Sequence, residues 1–96
     1  MELTELKQYL RIEYDEDDNW LQMLMKVGQS YVIDAIDSNA TADDFAEKEQ
    51  FSFAVCLLVS HWFSNRSATA EKALQDIPFG VLPMIQQLRG WYYANH

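Results

Sequence analysis

Ninety-six residues suffice for one domain, since folded domains commonly run to about 100–150, and 49% apolar with 14% aromatic residues excludes a disordered chain. Fifteen acidic against seven basic side chains leave a formal charge of −8, which argues against a protein that grips nucleic acid or an anionic membrane through a basic footprint. Cys56, the only cysteine, excludes an intramolecular disulfide and fits a reducing compartment.

The opening stretch MELTELKQYL lacks the basic and apolar regions of a signal peptide. The longest apolar run, AVCLLV, falls far short of the roughly 18 residues a membrane helix needs. The expectation is a soluble, cytosolic product. No repeat, low-complexity tract or linker divides the chain, so residues 1–96 are read as one domain. A chain this size buries only about 60–65% of its unfolded surface, so its core must be dense.

Thr4 is placed to cap a short helix over Glu5 to Arg11, with Leu6, Tyr9 and Leu10 on one side. The segment YDEDDNW follows, with Asp15 as a suitable N-cap and Asp17 and Asp18 offsetting the positive end of the helix dipole. The second helix is predicted from about Glu16 to Ser38. Leu21, Leu24, Gly28, Tyr31 and Ala35 follow a heptad-like seam. Winding at 100° per residue puts Trp20, Met23 and Val27 beside one edge of that seam and Met25, Val32 and Ile36 beside the other. The apolar arc spans roughly 220°, about twice the minimum stripe of a surface helix. Such a helix is either central in its own fold or in contact with a partner.

The polar connection SNATADDFAEKEQ carries a capping-box pattern at Thr41 and Asp44. The third helix is read as FAEKEQFSFAVCLLVSHWFSNR, whose Phe51, Ala54, Val55, Leu57, Leu58, Val59, Trp62 and Phe63 surround the axis almost completely. Its length and lack of period-two alternation argue against a strand. The stretch SATAEKALQDIP, with a weak helical pattern at Ala70 to Leu74, reads as a long loop before the last helix. That helix is predicted to begin near Gly80, with Pro83 tolerated in its first turn. Val81, Ile85, Leu88 and Tyr92 share one face, flanked by Met84 and Trp91. Gly90 is placed to end it as a left-handed cap, leaving Trp91, Tyr92 and Tyr93 to trail. The fold class is therefore all-α, a small single domain of about four helices.

The acidic cluster does not make a calcium loop. An EF-hand template laid on Asp15 fits Asp17 and Asn19 but meets Trp20 where Gly is required and Lys26 where a bidentate Glu is required. Cys56 and His61 lie five residues apart, about 140° around a helix, and so on different faces. No phosphate loop, nucleophile elbow or zinc spacing is present, and three glycines in total exclude most such motifs. The chain is read as non-enzymatic, with no metal and no cofactor. Arg66 and Arg89 each lie near a predicted helix C-terminus, where a cation offsets the dipole. Arginine is also favoured at interfaces, where its planar fork clamps carboxylates.

At Gln87, Leu88, Arg89 and Gly90 the chain resembles the QLRG family of tailed-bacteriophage head–tail connectors, also labelled DNA-packaging proteins, which is named for those four residues. LTELKQYLRIEYDEDD is similar to the family's opening, a short helix closing in a Leu-Arg-Ile type segment before acids that start a long helix. FAVCLLVSHWFSNR resembles its central helix, which closes in an aromatic followed by Asn-Arg, here Asn65-Arg66. IPFGVLPMIQQLRGWY resembles its proline–glycine entry to the last helix. The four blocks stand in order along nearly the whole chain.

The resemblance implies a structural adaptor at the virion neck, made in the host cytoplasm. It would assemble as a ring below the portal, extend the DNA channel and meet stopper or tail-completion proteins. Twelve subunits would match a twelve-fold portal. DNA would pass without specific binding, along an acidic wall that does not hold it. In that setting Trp20, Met23 and Val27 are candidate subunit contacts, Arg66 and Arg89 candidate clamps, and Trp91, Tyr92 and Tyr93 candidate anchors on another chain. The residues themselves leave a second function class open, a generic α-helical interaction domain that binds one partner through its apolar second helix. A DNA-binding regulator comes behind both because of the charge.

Overall fold

The computed structural model describes residues 2–64 and 80–95, and among these every regular element is helical. Arg66 and the stretch read as a long loop, with its weak helical pattern at Ala70 to Leu74, lie outside the described residues.

Helix α1 spans Leu3–Leu10. Thr4 lies inside its first turn and Glu2 precedes it without a side-chain cap bond, so the expected Thr4 cap is not made. Leu6 is fully buried, and Leu3, Leu10 and Ile12 pack against the core. The helix closes at Arg11, which takes the left-handed conformation at φ 59°. Arg11 N–H donates to Gln8 O at 3.2 Å and Ile12 N–H to Lys7 O at 2.9 Å, the paired bonds of a Schellman motif with arginine where glycine is usual. The Lys7 ammonium then reaches Asp15 at 2.7 Å and Asp18 at 2.8 Å. Both hydrogen bonds raise the Lys7 pKa, that to Asp15 most. Asp15 is thus engaged by Lys7, and Asp17 is the residue that precedes α2.

Helix α2 spans Asp18–Ile36, two residues shorter at each end than the pattern predicts. Asp37 is extended, and its carboxylate accepts the Asn39 N–H at 2.8 Å, an Asx turn that competes with further helix. Leu21, Leu24, Met25, Gly28, Val32 and Ile36 are buried. Tyr31 and Ala35, placed on the seam by heptad spacing, are only half-buried. A Cβ at Gly28 would lie 3.3 Å from Val55 Cγ1, 3.6 Å from Val59 Cγ2 and 3.7 Å from Trp62 Cζ3. Glycine therefore sets how closely α2 approaches α3. Gly28→Leu is expected to lower the urea midpoint, because overpacking costs about 1–3 kcal/mol and outweighs the helix-propensity gain of under about 1 kcal/mol.

The Thr41–Asp44 pattern opens a 3₁₀ helix over Ala42–Phe45 instead of helix α3. The Asp44 carboxylate accepts the Thr41 N–H at 2.9 Å, and Ala46 N–H and Lys48 N–H donate three residues back, to Asp43 O and Phe45 O. The break has a packing cause. On an uninterrupted helix Phe45 would point about 100° away from the mean direction of the buried α3 side chains, whereas the turn drives it into the core against Phe51, ring centroids 5.2 Å apart.

Helix α3 spans Glu49–Ser64 and buries Phe51, Ala54, Val55, Cys56, Leu58, Val59 and Trp62. It is not apolar all round in use: Phe53 is exposed and meets Tyr9 in a T-shaped pair, at 5.9 Å between centroids. The buried Trp62 indole N–H finds no acceptor among the described residues.

Gly80, at φ 102°, supplies a backbone conformation that side-chain-bearing residues rarely adopt and leads into α4, Val81–Asn95. Pro83 falls in its first turn, and Val81, Ile85, Leu88 and Tyr92 are its buried face, as the spacing predicts. The cap expected at Gly90 is absent: the helix runs through it to Asn95. With no left-handed φ at Gly90 and the apolar face continuing through Tyr92, packing carries the helix past its weakest residue. Helices α2, α3 and α4 pack on one another, and α1 lies across α2 and α3.

Candidate assembly surface

The apolar edge of α2 is the first surface the fold leaves uncovered. Core packing takes the Leu21–Leu24–Gly28 seam and the Met25–Val32–Ile36 edge. Trp20, Met23 and Val27 remain 39%, 56% and 41% exposed. They sit one turn apart, so their side chains form one continuous strip. The domain's own core does not account for it.

The last two turns of α4 form the second surface, bound to the far end of α2. The Arg89 guanidinium donates to Ala35 O. It therefore satisfies a terminal carbonyl of α2 and lies at the negative end of that helix's dipole, not merely at that of its own helix. The Tyr93 hydroxyl donates to Asp37 Oδ2 at 3.0 Å, with Ile36 O as a second acceptor at 3.2 Å. The bond to Asp37, then partial burial, holds the phenol above its usual pKa. Of the four motif residues, Leu88 is buried, Arg89 bridges to α2, and Gln87 and Gly90 face solvent.

The three consecutive aromatics have three different environments. Tyr92 is 8% exposed and belongs to the core. Trp91 is half-buried, its ring 5.8 Å from that of Phe45 and covered on one side by the Lys48 ammonium at 4.8 Å. Tyr93 is exposed along its ring while its hydroxyl is tied to α2. They do not trail behind a closed helix; they are its final turn.

Sequence spacing did not single out two other exposed groups. Tyr9 and Phe53 form an edge-on pair between α1 and α3, and Leu82 projects from the start of α4. Spacing puts Tyr9 on one side with Leu6 and Leu10, but α1 is too short for spacing to say which of them is buried, and on α3 apolar residues nearly all round the axis do not single out Phe53.

Chemistry has little to work with on these surfaces. Burial, then the charge of Glu5, pushes the Cys56 thiol up to about 11, so at neutral pH it is protonated and a poor nucleophile. His61 is half-buried on the same helix, on another face. A cleft of about 300 Å³ beside the 3₁₀ turn is lined by Asp43, Asp44, Glu47 and Trp91, and Lys48 supplies its cation. Among the described residues no group of three or more His, Cys, Asp or Glu side chains is arranged to hold a metal ion. No helix among them is long and apolar enough to cross a membrane.

What remains is a helical domain with a dense core and an apolar strip on α2 that its described residues leave exposed. No curated protein and no solved structure matches the chain. The family model described as phage gp6-like head–tail connector protein matches residues 1–89, which spans α1 to α3 and most of α4. The match stops one residue short of the end of Gln87–Gly90 and does not distinguish a QLRG subgroup. The chain belongs to the phage gp6-like head–tail connector family.

Proposed function

We propose that this chain is a structural adaptor that forms a ring below the portal, extends the DNA channel and links head to tail components during virion assembly. The observation that carries the ring is the Trp20–Met23–Val27 strip, which the folded domain leaves exposed beside an otherwise closed core. Full burial of such a side chain is worth about 1.5–3 kcal/mol; these are 39–56% exposed, so each adds roughly half of that, and the contact repeats around the ring. Twelve copies match a twelve-fold portal. Arg89, Trp91 and Tyr93 form a second contact set, toward the portal or a neighbouring subunit, on a helix turn that Tyr92 anchors from inside. A stopper or tail-completion protein is the partner on the far side. The formal charge of −8 suits a wall along which DNA slides without binding.

The test is the double substitution Met23→Glu with Val27→Glu. Both side chains are exposed, so the monomer is expected to keep its circular dichroism and its cooperative melt. Rings on portal-bearing capsids, read by co-sedimentation and electron microscopy, are expected to be lost. Rings that persist unchanged would show that this strip is not the subunit contact.

A further inference from the structure

Nothing among the described residues accounts for glycine at position 90. The residue lies inside α4, its φ is not positive, and beyond its own helix backbone a Cβ placed on it meets no atom of the described residues within 4 Å. Glycine weakens a helix interior relative to alanine, and here neither a turn nor a close neighbour in the fold requires it. The same outward face carries Gln86 one turn before and Ala94 one turn after, with Pro83 and Gln87 beside them, all exposed and uncharged.

The charge distribution isolates this helix further. All fifteen acidic residues lie between Glu2 and Asp76, and the last twenty residues hold none. Arg89 is the one charged side chain of α4. Copies of a chain with charge −8 repel one another. The acids that flank α4 among the described residues are Asp37 at Tyr93, and Asp43, Asp44 and Glu47 beside Trp91. Its outward Gln86–Gly90–Ala94 face, centred away from both, is where an acidic neighbour meets least repulsion. The exposed edge of α2 is such a neighbour: Asp34 projects from the same side of the helix as Met23 and Val27 and is exposed.

We infer that the outward face of α4 receives the Trp20–Met23–Val27 edge of α2 from a second copy, with Gly90 as the point of closest approach. Large side chains on one helix seat over a position without a side chain on the other, as ridges seat in grooves. Two different patches of the same chain thereby meet, and a head-to-tail contact of that kind is what closes a ring. The inference rests on the ring proposed above and supplies the other half of its contact.

Gly90→Leu separates fold from assembly. Leucine is a better helix former and would stand on a face where a Cβ meets nothing within 4 Å beyond its own helix, so the monomer's melting temperature is expected to rise by roughly 3–6 °C. Ring formation on portal-bearing capsids is expected to fall at least tenfold. A cross-link identifies the occupant: Met23→Cys and Gly90→Cys proteins are mixed, assembled and treated with a short bis-maleimide, Cys56 being buried. A linked pair of connector chains joining position 23 to position 90 is the expected product. Full ring formation by Gly90→Leu, or a cross-link from position 90 to portal protein, would overturn the inference while leaving the ring intact. Failure of the wild-type chain to form any ring on portal would overturn the ring proposal itself.

Discussion

Replacing Phe45 by alanine is expected to lower the melting temperature by more than about 10 °C. Removing a buried phenylalanine costs about 3–5 kcal/mol, and each kcal/mol shifts the midpoint of a domain this size by roughly 4–8 °C. Phe45 is 1% exposed, so the full term applies. Its ring stacks on Phe51 at 5.2 Å and also meets Trp91 and Tyr92, each at 5.8 Å, contacts worth about 0.5–1.5 kcal/mol apiece beyond buried area. It joins the 3₁₀ turn, the start of α3 and the end of α4 at one point. Phe53→Ala is the matched control, since Phe53 is 44% exposed and pairs with the one ring of Tyr9. It should shift the melt little. Equal effects of the two substitutions would contradict the packing described for Phe45.

The same residue shows where sequence periodicity stops being informative. The helices were legible because burial repeats at helical spacing: Leu21, Leu24, Gly28 on α2 and Val81, Ile85, Leu88, Tyr92 on α4 are all buried as the pattern requires. Phe45 was absorbed into the third helix because apolar spacing does not register a change of axis. The Thr41–Asp44 pattern marks a start but not which kind of helix starts. At Gly90 two local signals conflicted. The spacing put Tyr92 on the core face, while glycine followed by aromatics suggested a cap, and tertiary packing decided for the spacing. The uncovered α2 edge was legible as excess apolar arc, although only the fold could say which half of the arc remained outside. The Arg89–Ala35 and Tyr93–Ile36 bonds join positions more than fifty residues apart, and no pattern within either helix encodes them.

Truncation after Gly90 is expected to leave a chain without a cooperative melt at 37 °C. The cut removes Tyr92, buried against Phe45, at about 3–5 kcal/mol for a core aromatic. It also removes Trp91 from Phe45 and Lys48 and the Tyr93 hydroxyl from the end of α2. Arg89 would be left in a fraying last turn, its hold on Ala35 O weakened with it. Total stabilities of small domains are about 5–15 kcal/mol, so the summed loss reaches the scale of the whole. These contributions share Phe45 and will not add independently. For that reason Tyr92→Ala should already account for a large part of the effect. A chain ending after Tyr93 loses only Ala94 and Asn95 among the described residues, both exposed, and should melt close to the full-length protein. The measurement is a thermal melt of the three variants and the full-length protein by circular dichroism. If the chain cut after Gly90 melts like the full-length protein, the aromatic turn contributes nothing to the core, and its contacts would have to be sought on a neighbouring chain instead.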